Sequence, residues 1–116
     1  MYRDFTYIDD IVTGIENIMQ KTPDLTEDGA AYKIYNIGNN KPESLLYFVE
    51  TLEKCLIAEG IIKEPGKKEF LPMQPGDVYQ TFADVTELQK DFNFKPATPL
   101  EKGLANFAKW YKGFYK

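Results

Sequence analysis

Two adjacent acids, Asp9 and Asp10, come nearest in this chain to a catalytic carboxylate pair. They stand where Ile8, Ile11, Val12, Ile15, Ile18 and Met19 begin to recur at helical spacing. Acids in a first helical turn are accounted for by capping and by the positive end of the helix dipole, so the structural reading of the pair is preferred. A second set, Tyr32, Tyr35, Phe107, Trp110, Tyr111 and Tyr115, offers aromatic faces of the kind that stack on sugars. Aromatics at strand and helix spacing more often pack a core or an interface. Histidine is absent and Cys55 is the single cysteine, which removes the usual triads, Cys-His pairs and zinc ligand sets. No Asp-rich loop has calcium-binding spacing.

The elements that would position any site follow from periodicity. The opening residues 3–7 read as a short extended segment running into a helix over about residues 8–20, with Thr6 and Asp9 at capping-box spacing. Residues 32–37 alternate aromatic, β-branched and polar types and are expected to form a strand stopped by Gly38-Asn39-Asn40. Ser44 is a good N-cap for a helix carrying Leu45, Phe48, Val49, Leu52, Cys55 and Leu56, ended by Gly60. Residues 68–73 are expected to be a second strand, and Gln74-Pro75-Gly76-Asp77 a turn. Asp84 and Glu87 have capping-box spacing ahead of a short helix with Val85, Leu88 and Phe92. Thr98-Pro99-Leu100-Glu101 opens a last helix, with Leu100, Leu104, Phe107, Tyr111 and Phe114 on one side. About four helices and two or three short strands make a small mixed α/β layer, not a complete doubly wound sheet.

Composition sets the outer bounds. The 116 residues, 43% apolar and 28% charged, fit one globular domain over 1–116. A formal net charge of −4 with scattered lysines argues against a nucleic-acid partner. No apolar run approaches the roughly 18 residues of a membrane span, so no membrane partner is expected. The lone cysteine and the lack of a signal-peptide pattern lead to an expectation of a cytoplasmic location.

Three segments resemble the extended short-chain dehydrogenase/reductase superfamily of NAD-dependent epimerases and dehydratases, and within it the UDP-glucuronate 4-epimerase branch. They are Arg3-Asp4-Phe5-Thr6-Tyr7-Ile8-Asp9-Asp10, Tyr35-Asn36-Ile37-Gly38 and Leu71-Pro72-Met73-Gln74-Pro75-Gly76-Asp77-Val78. The resemblance implies the C-terminal, substrate-binding portion of such an enzyme. Family members hold the NAD pyrophosphate on a Gly-rich turn before a helix, and none of the eight glycines here has that spacing. The family's catalytic Tyr and Lys sit four residues apart, and no Tyr here has a Lys four positions on. This chain is therefore expected to bind no cofactor and to carry no catalytic residue, NAD belonging to the complete family enzyme.

By the same resemblance, Arg3 contacts the diphosphate of a UDP-sugar, Asp77 accepts from the ribose hydroxyls, and Gln74 stands where galactose-type epimerases carry a phosphate-contacting Arg. A guanidinium stays charged and presents a planar fork to phosphate oxygens, and a carboxylate suits two donating hydroxyls. Set against these readings, Arg3 can be a surface residue paired with Asp4, and Asp77 an ordinary turn residue. The expected function is UDP-sugar recognition for C4 epimerisation, performed only with the missing NAD-binding half. Rivals are dehydratase or decarboxylase chemistry on another nucleotide sugar, a stand-alone nucleotide-sugar-binding module, and an interaction protein that kept the fold and lost the ligand. Self-association through a would-be interdomain face, using aromatics near Tyr2, Phe5 or Tyr7, is also expected.

Overall fold

The structure is a computed structural model that describes residues 1–115. Its order is β1 (Tyr2–Arg3), α1 (Ile8–Ile18), β2 (Glu43–Ser44), α2 (Leu45–Ala58), α3 (Thr86–Phe92) and α4 (Leu100–Phe114). The mixed α/β class and the four helices agree with the sequence reading. Contacts divide the chain into two compact units. One comprises Met1–Arg3, Pro42–Thr81 and the segment from Pro99 onward, and the other Asp4–Lys41 with Phe82–Thr98.

In the first unit, β1 and β2 pair antiparallel, with Tyr2 opposite Ser44 and Arg3 opposite Glu43. A parallel bridge from Tyr2 to Gln80 adds a third track. Ser44 caps α2 as expected, its Oγ accepting from Tyr47 N at 3.0 Å. Gly60, at φ 70°, ends α2 in a Schellman arrangement: its N–H reaches Ile57 O and that of Ile61 reaches Leu56 O, each at 2.9 Å. Helices α2 and α4 pack together, burying Thr51 of one and Leu104 and Ala108 of the other. The Tyr47 hydroxyl on α2 also donates to the Glu101 carboxylate on α4.

The second unit is built on α1 and α3. Val85, Leu88 and Pro96 are buried there. Gly14 lets α1 come close: a Cβ at that position would meet two carbons of Ile37 at 3.1 Å. Gly38 is tighter still, since a Cβ would lie 2.5 Å from that of Ala83 and 2.9 Å from Asp4 Oδ2.

Several local expectations are corrected. Neither residues 32–37 nor residues 68–73 form a strand. A strand exists only when its backbone finds a ladder partner, and neither segment has one here. The capping box of Thr6 and Asp9 is not made, because Thr6 Oγ1 accepts from Asn39 N at 3.1 Å and α1 has no side-chain cap. The Thr98 hydroxyl does not cap α4: Pro99 is the N-cap residue, and Thr98 N donates to Asp10 Oδ2 at 3.0 Å. Asp84 serves Thr86 one residue early, accepting from its N at 3.0 Å and its Oγ1 at 2.6 Å, while Val85 takes the N-cap place of α3. Among the described residues no helix is long and apolar enough to cross a membrane.

Candidate functional site

Arg3, Gln74 and Asp77 all lie in the first unit. Arg3 is held on β1 between β2 and the segment that follows Asp77. Tyr2 N donates to Tyr79 O at 2.9 Å, and Thr81 N donates to Tyr2 O at 3.2 Å. The Arg3 guanidinium uses one nitrogen, Nη1, on main chain, donating to Tyr2 O at 2.9 Å and to Tyr79 O at 3.4 Å. Its Nη2 lies 3.6 Å from Met1 Sδ. Among the described residues no carboxylate pairs with it. The side chain of this half-buried residue is thus held by neutral carbonyls, which leave its positive charge unneutralised.

The Arg3–Asp4 pair considered from the sequence is not formed. Asp4 turns its carboxylate to the second unit, where Oδ2 accepts from Asn40 N and Ala83 N, each at 2.9 Å, and Oδ1 accepts from Lys41 N at 3.2 Å. Two neighbours of opposite charge are separated because three main-chain donors compete for the acid.

Gln74 and Asp77 are the ends of a type II turn. Pro75 occupies its second position, Gly76 has φ 90° at the third, and Asp77 N donates to Gln74 O at 3.1 Å. Gln74 Nε2 donates one N–H to Pro72 O at 2.9 Å, and the amide carries a second N–H besides. Asp77 is exposed, and among the described residues its carboxylate has no ion-pair or hydrogen-bond donor. An exposed, acceptor-only group of this kind suits hydroxyl donors. Tyr79, which sequence reasoning did not single out, supplies the carbonyl that steadies Arg3 and sets its ring 6.0 Å from that of Tyr2. Nothing but its aromatic type marked it in the sequence.

The other candidates do not converge. Asp10 accepts from Thr98 N and Asp9 is exposed; both stand in the first turn of α1, which has no side-chain cap. Tyr32 and Tyr35 belong to one unit and Phe107, Trp110, Tyr111 and Tyr115 to the other. Along α4 the rings contact one another, with Trp110 stacked on Phe114 at 5.1 Å. Tyr35 instead donates to Asp91 Oδ2 at 2.6 Å, and the Lys33 ammonium reaches the same oxygen at 2.5 Å. Lys33, and then Tyr35, hold the Asp91 carboxyl below the usual range, while Asp91 and Glu87 raise the Lys33 ammonium above its own. An open cavity of about 430 Å³ in this unit includes Lys21, Tyr32, Lys33, Tyr35 and Asp91 in its lining. Among the described residues no group of three or more His, Cys, Asp or Glu side chains is placed to hold a metal ion.

The fold and the three motif segments define the class. Over 97% of its length this chain superposes, with a TM-score of 0.73 and 28% identity, on a crystal structure of UDP-glucuronic acid 4-epimerase from Bacillus cereus in complex with UDP-glucuronic acid and NAD. UDP-glucose 4-epimerase from Bifidobacterium longum shares the fold at a TM-score of 0.75, with 20% identity over 95% of the chain. The chain therefore corresponds to the C-terminal part of an NAD-dependent epimerase/dehydratase of the extended short-chain dehydrogenase/reductase type.

Its sequence is similar to those of UDP-glucuronate 4-epimerases. It is 42% identical to UDP-glucuronate 4-epimerase 5 of Arabidopsis thaliana over 97% of the chain and 26% of that protein. It is 41% identical to the CapI protein of Staphylococcus aureus over the whole chain and 36% of that protein. The chain thus spans about a third or less of the length of these curated relatives. No family model matches it.

Proposed function

We propose that this chain grips the nucleotide part of a UDP-sugar, of the UDP-glucuronate type, for C4 epimerisation carried out together with an NAD-binding half. The observation that carries the reading is the state of Arg3: the guanidinium of a half-buried residue, anchored by two carbonyls, with no carboxylate partner among the described residues. In this reading Arg3 donates to the diphosphate and Asp77 accepts from the ribose hydroxyls. Gln74 adds one neutral donor, the second N–H of its amide. Binding energy from the non-reacting nucleotide then holds the sugar through a reaction in which a free keto intermediate would otherwise escape.

The residues present do not fit NAD. A dinucleotide needs a Gly-rich turn feeding a helix N-terminus, whereas the glycines at positive φ here lie in the loop at Gly29, behind α2 at Gly60 and in the turn at Gly76. No step is assigned through NAD in this chain, and by itself the chain is read as inactive.

The test has two arms. With the NAD-binding half supplied, Arg3→Ala is expected to weaken UDP-glucuronate binding by about 1.5–3 kcal/mol, a charge-assisted contact, with Asp77→Asn costing less. Calorimetry that finds the Arg3→Ala affinity unchanged within about twofold, well under one such contact, overturns the assignment. In the second arm the chain alone is titrated with NAD and assayed with UDP-glucuronate, and saturable binding with conversion contradicts the reading.

A further inference from the structure

Gln74 and Asp77 stand on residues 66–81, a segment that hydrogen bonds hold at both ends within one unit. At its far end it is joined to β1 beside Arg3, Tyr2 N donating to Tyr79 O at 2.9 Å and Thr81 N to Tyr2 O at 3.2 Å. At its near end it is held by one carboxylate. Glu53 on α2 uses both oxygens, Oε1 accepting from Gly66 N at 2.8 Å and Oε2 from Lys68 Nζ at 2.7 Å. The Glu53 side chain is only 14% exposed and that of Lys68 29%, so the pair is shielded from the solvent screening that weakens open surface ion pairs. The Lys68 ammonium, and then the Gly66 amide, hold the Glu53 carboxyl below its usual range.

Helix α2 also carries the Arg3 side of the arrangement. Its N-cap, Ser44, stands opposite Tyr2 where β2 pairs with β1, and Leu45 N donates to Met1 O at 3.0 Å. From Leu45 to Glu53 the helix rises about 12 Å, a length that a regular α-helix keeps fixed. Between Lys68 and Asp77 the backbone is stiffened by Pro72 and Pro75, whose rings fix φ, and by the turn that ends at Asp77. A displacement at Lys68 is therefore carried toward that turn. The diphosphate and ribose of a nucleotide are covalently joined, so a donor at Arg3 and an acceptor at Asp77 serve one ligand only at a set separation.

We infer that Glu53 is a positioning residue for UDP-sugar binding: by holding Gly66 and Lys68 to α2 it sets the separation of Asp77 from Arg3. It acts through the turn and touches no part of the nucleotide. This inference rests on the reading that Arg3 and Asp77 grip the diphosphate and the ribose. Nothing in the sequence marked Glu53, because it lies outside the motif segments and its partners are 13 and 15 residues away, beyond the end of its own helix.

The test reads the anchor and the binding separately. In the chain without ligand, NMR relaxation is expected to show the backbone order parameters of Gln74 and Asp77 falling below about 0.6 in Glu53→Ala, with those of α4 staying near about 0.85. Equal values in wild type and variant overturn the inference. With the NAD-binding half supplied, Glu53→Ala is expected to weaken UDP-glucuronate binding about fivefold or more, and Lys68→Arg, which keeps a charged donor, to change it less than about twofold. An Asp77→Ala background separates positioning from general damage. There Glu53→Ala should change affinity less than about twofold, whereas an equal loss in both backgrounds is the mark of a purely structural role and overturns the proposal. Should Glu53→Ala not fold, Glu53→Gln, which keeps an oxygen for Gly66 and gives up the charge facing Lys68, goes through the same cycle under the same criteria. Arg3→Ala tells the two readings apart. Binding lost in Arg3→Ala but kept in Glu53→Ala removes only the positioning role, and unchanged affinity in Arg3→Ala removes the nucleotide site, whatever Glu53 does to the turn.

Discussion

Asp4→Ala is expected to be among the most damaging polar substitutions in the second unit. The carboxylate accepts three main-chain hydrogen bonds, from Asn40 and Ala83 at 2.9 Å and from Lys41 at 3.2 Å. A hydrogen bond to a charged group contributes about 1.5–3 kcal/mol net. Asn40 and Lys41 are exposed, so water replaces much of what their amides lose, while Ala83 is half-buried and recovers less. Counting the Ala83 bond nearly in full and the others at a fraction gives a destabilisation of about 2–4 kcal/mol. That is a large part of the stability of a small domain. Asp4→Asn keeps one acceptor oxygen but turns an NH₂ toward a donor, and should fall between wild type and Asp4→Ala. Urea unfolding followed by circular dichroism measures both, with Arg3→Ala as a comparison that removes no buried acceptor. A loss below about 0.5 kcal/mol for Asp4→Ala refutes the reasoning, because that is the range of an ordinary surface change.

Gly38→Ala places a Cβ 2.5 Å from that of Ala83, so an overpacking cost of about 1–3 kcal/mol is expected in the same unfolding assay. The pH dependence follows from Asp91, which is held below its usual range first by Lys33 and then by Tyr35. A depressed carboxylate contributes stability above its unfolded pKa near 3.9 and loses it as pH falls through the folded value, so thermal midpoints should decline below about pH 4. Asp91→Asn should flatten that acid limb. The isolated chain is expected to self-associate, as light scattering over a concentration series would record. Tyr2 is exposed and Phe5 and Tyr7 are half-buried, whereas the broad apolar exposure lies at Ile8, Met19 and Ile34. Ile34→Lys should therefore relieve association more than Tyr2→Lys, and a monomer at high concentration contradicts the expectation.

The helices were legible in the sequence because each carries its own information: apolar residues at 3.6 spacing, Ser44 before α2, Gly60 after it. The turn from Gln74 to Asp77 was equally local, since a Pro-Gly pair in its centre selects the geometry. The residue types of the proposed site, Arg3, Gln74 and Asp77, were named from motif resemblance. That Arg3 stands without a carboxylate among the described residues was decided by tertiary structure, because the competitors for Asp4 are amides at positions 40, 41 and 83. The same competition dissolved the expected capping box at Thr6, where Asn39 takes the hydroxyl. Residues 32–37 mark the boundary between the two kinds of information. Their alternation is written in the sequence and survives in the structure, but a strand is a property of two backbones. Whether one forms depends on a neighbour whose position no pattern along these six residues can specify.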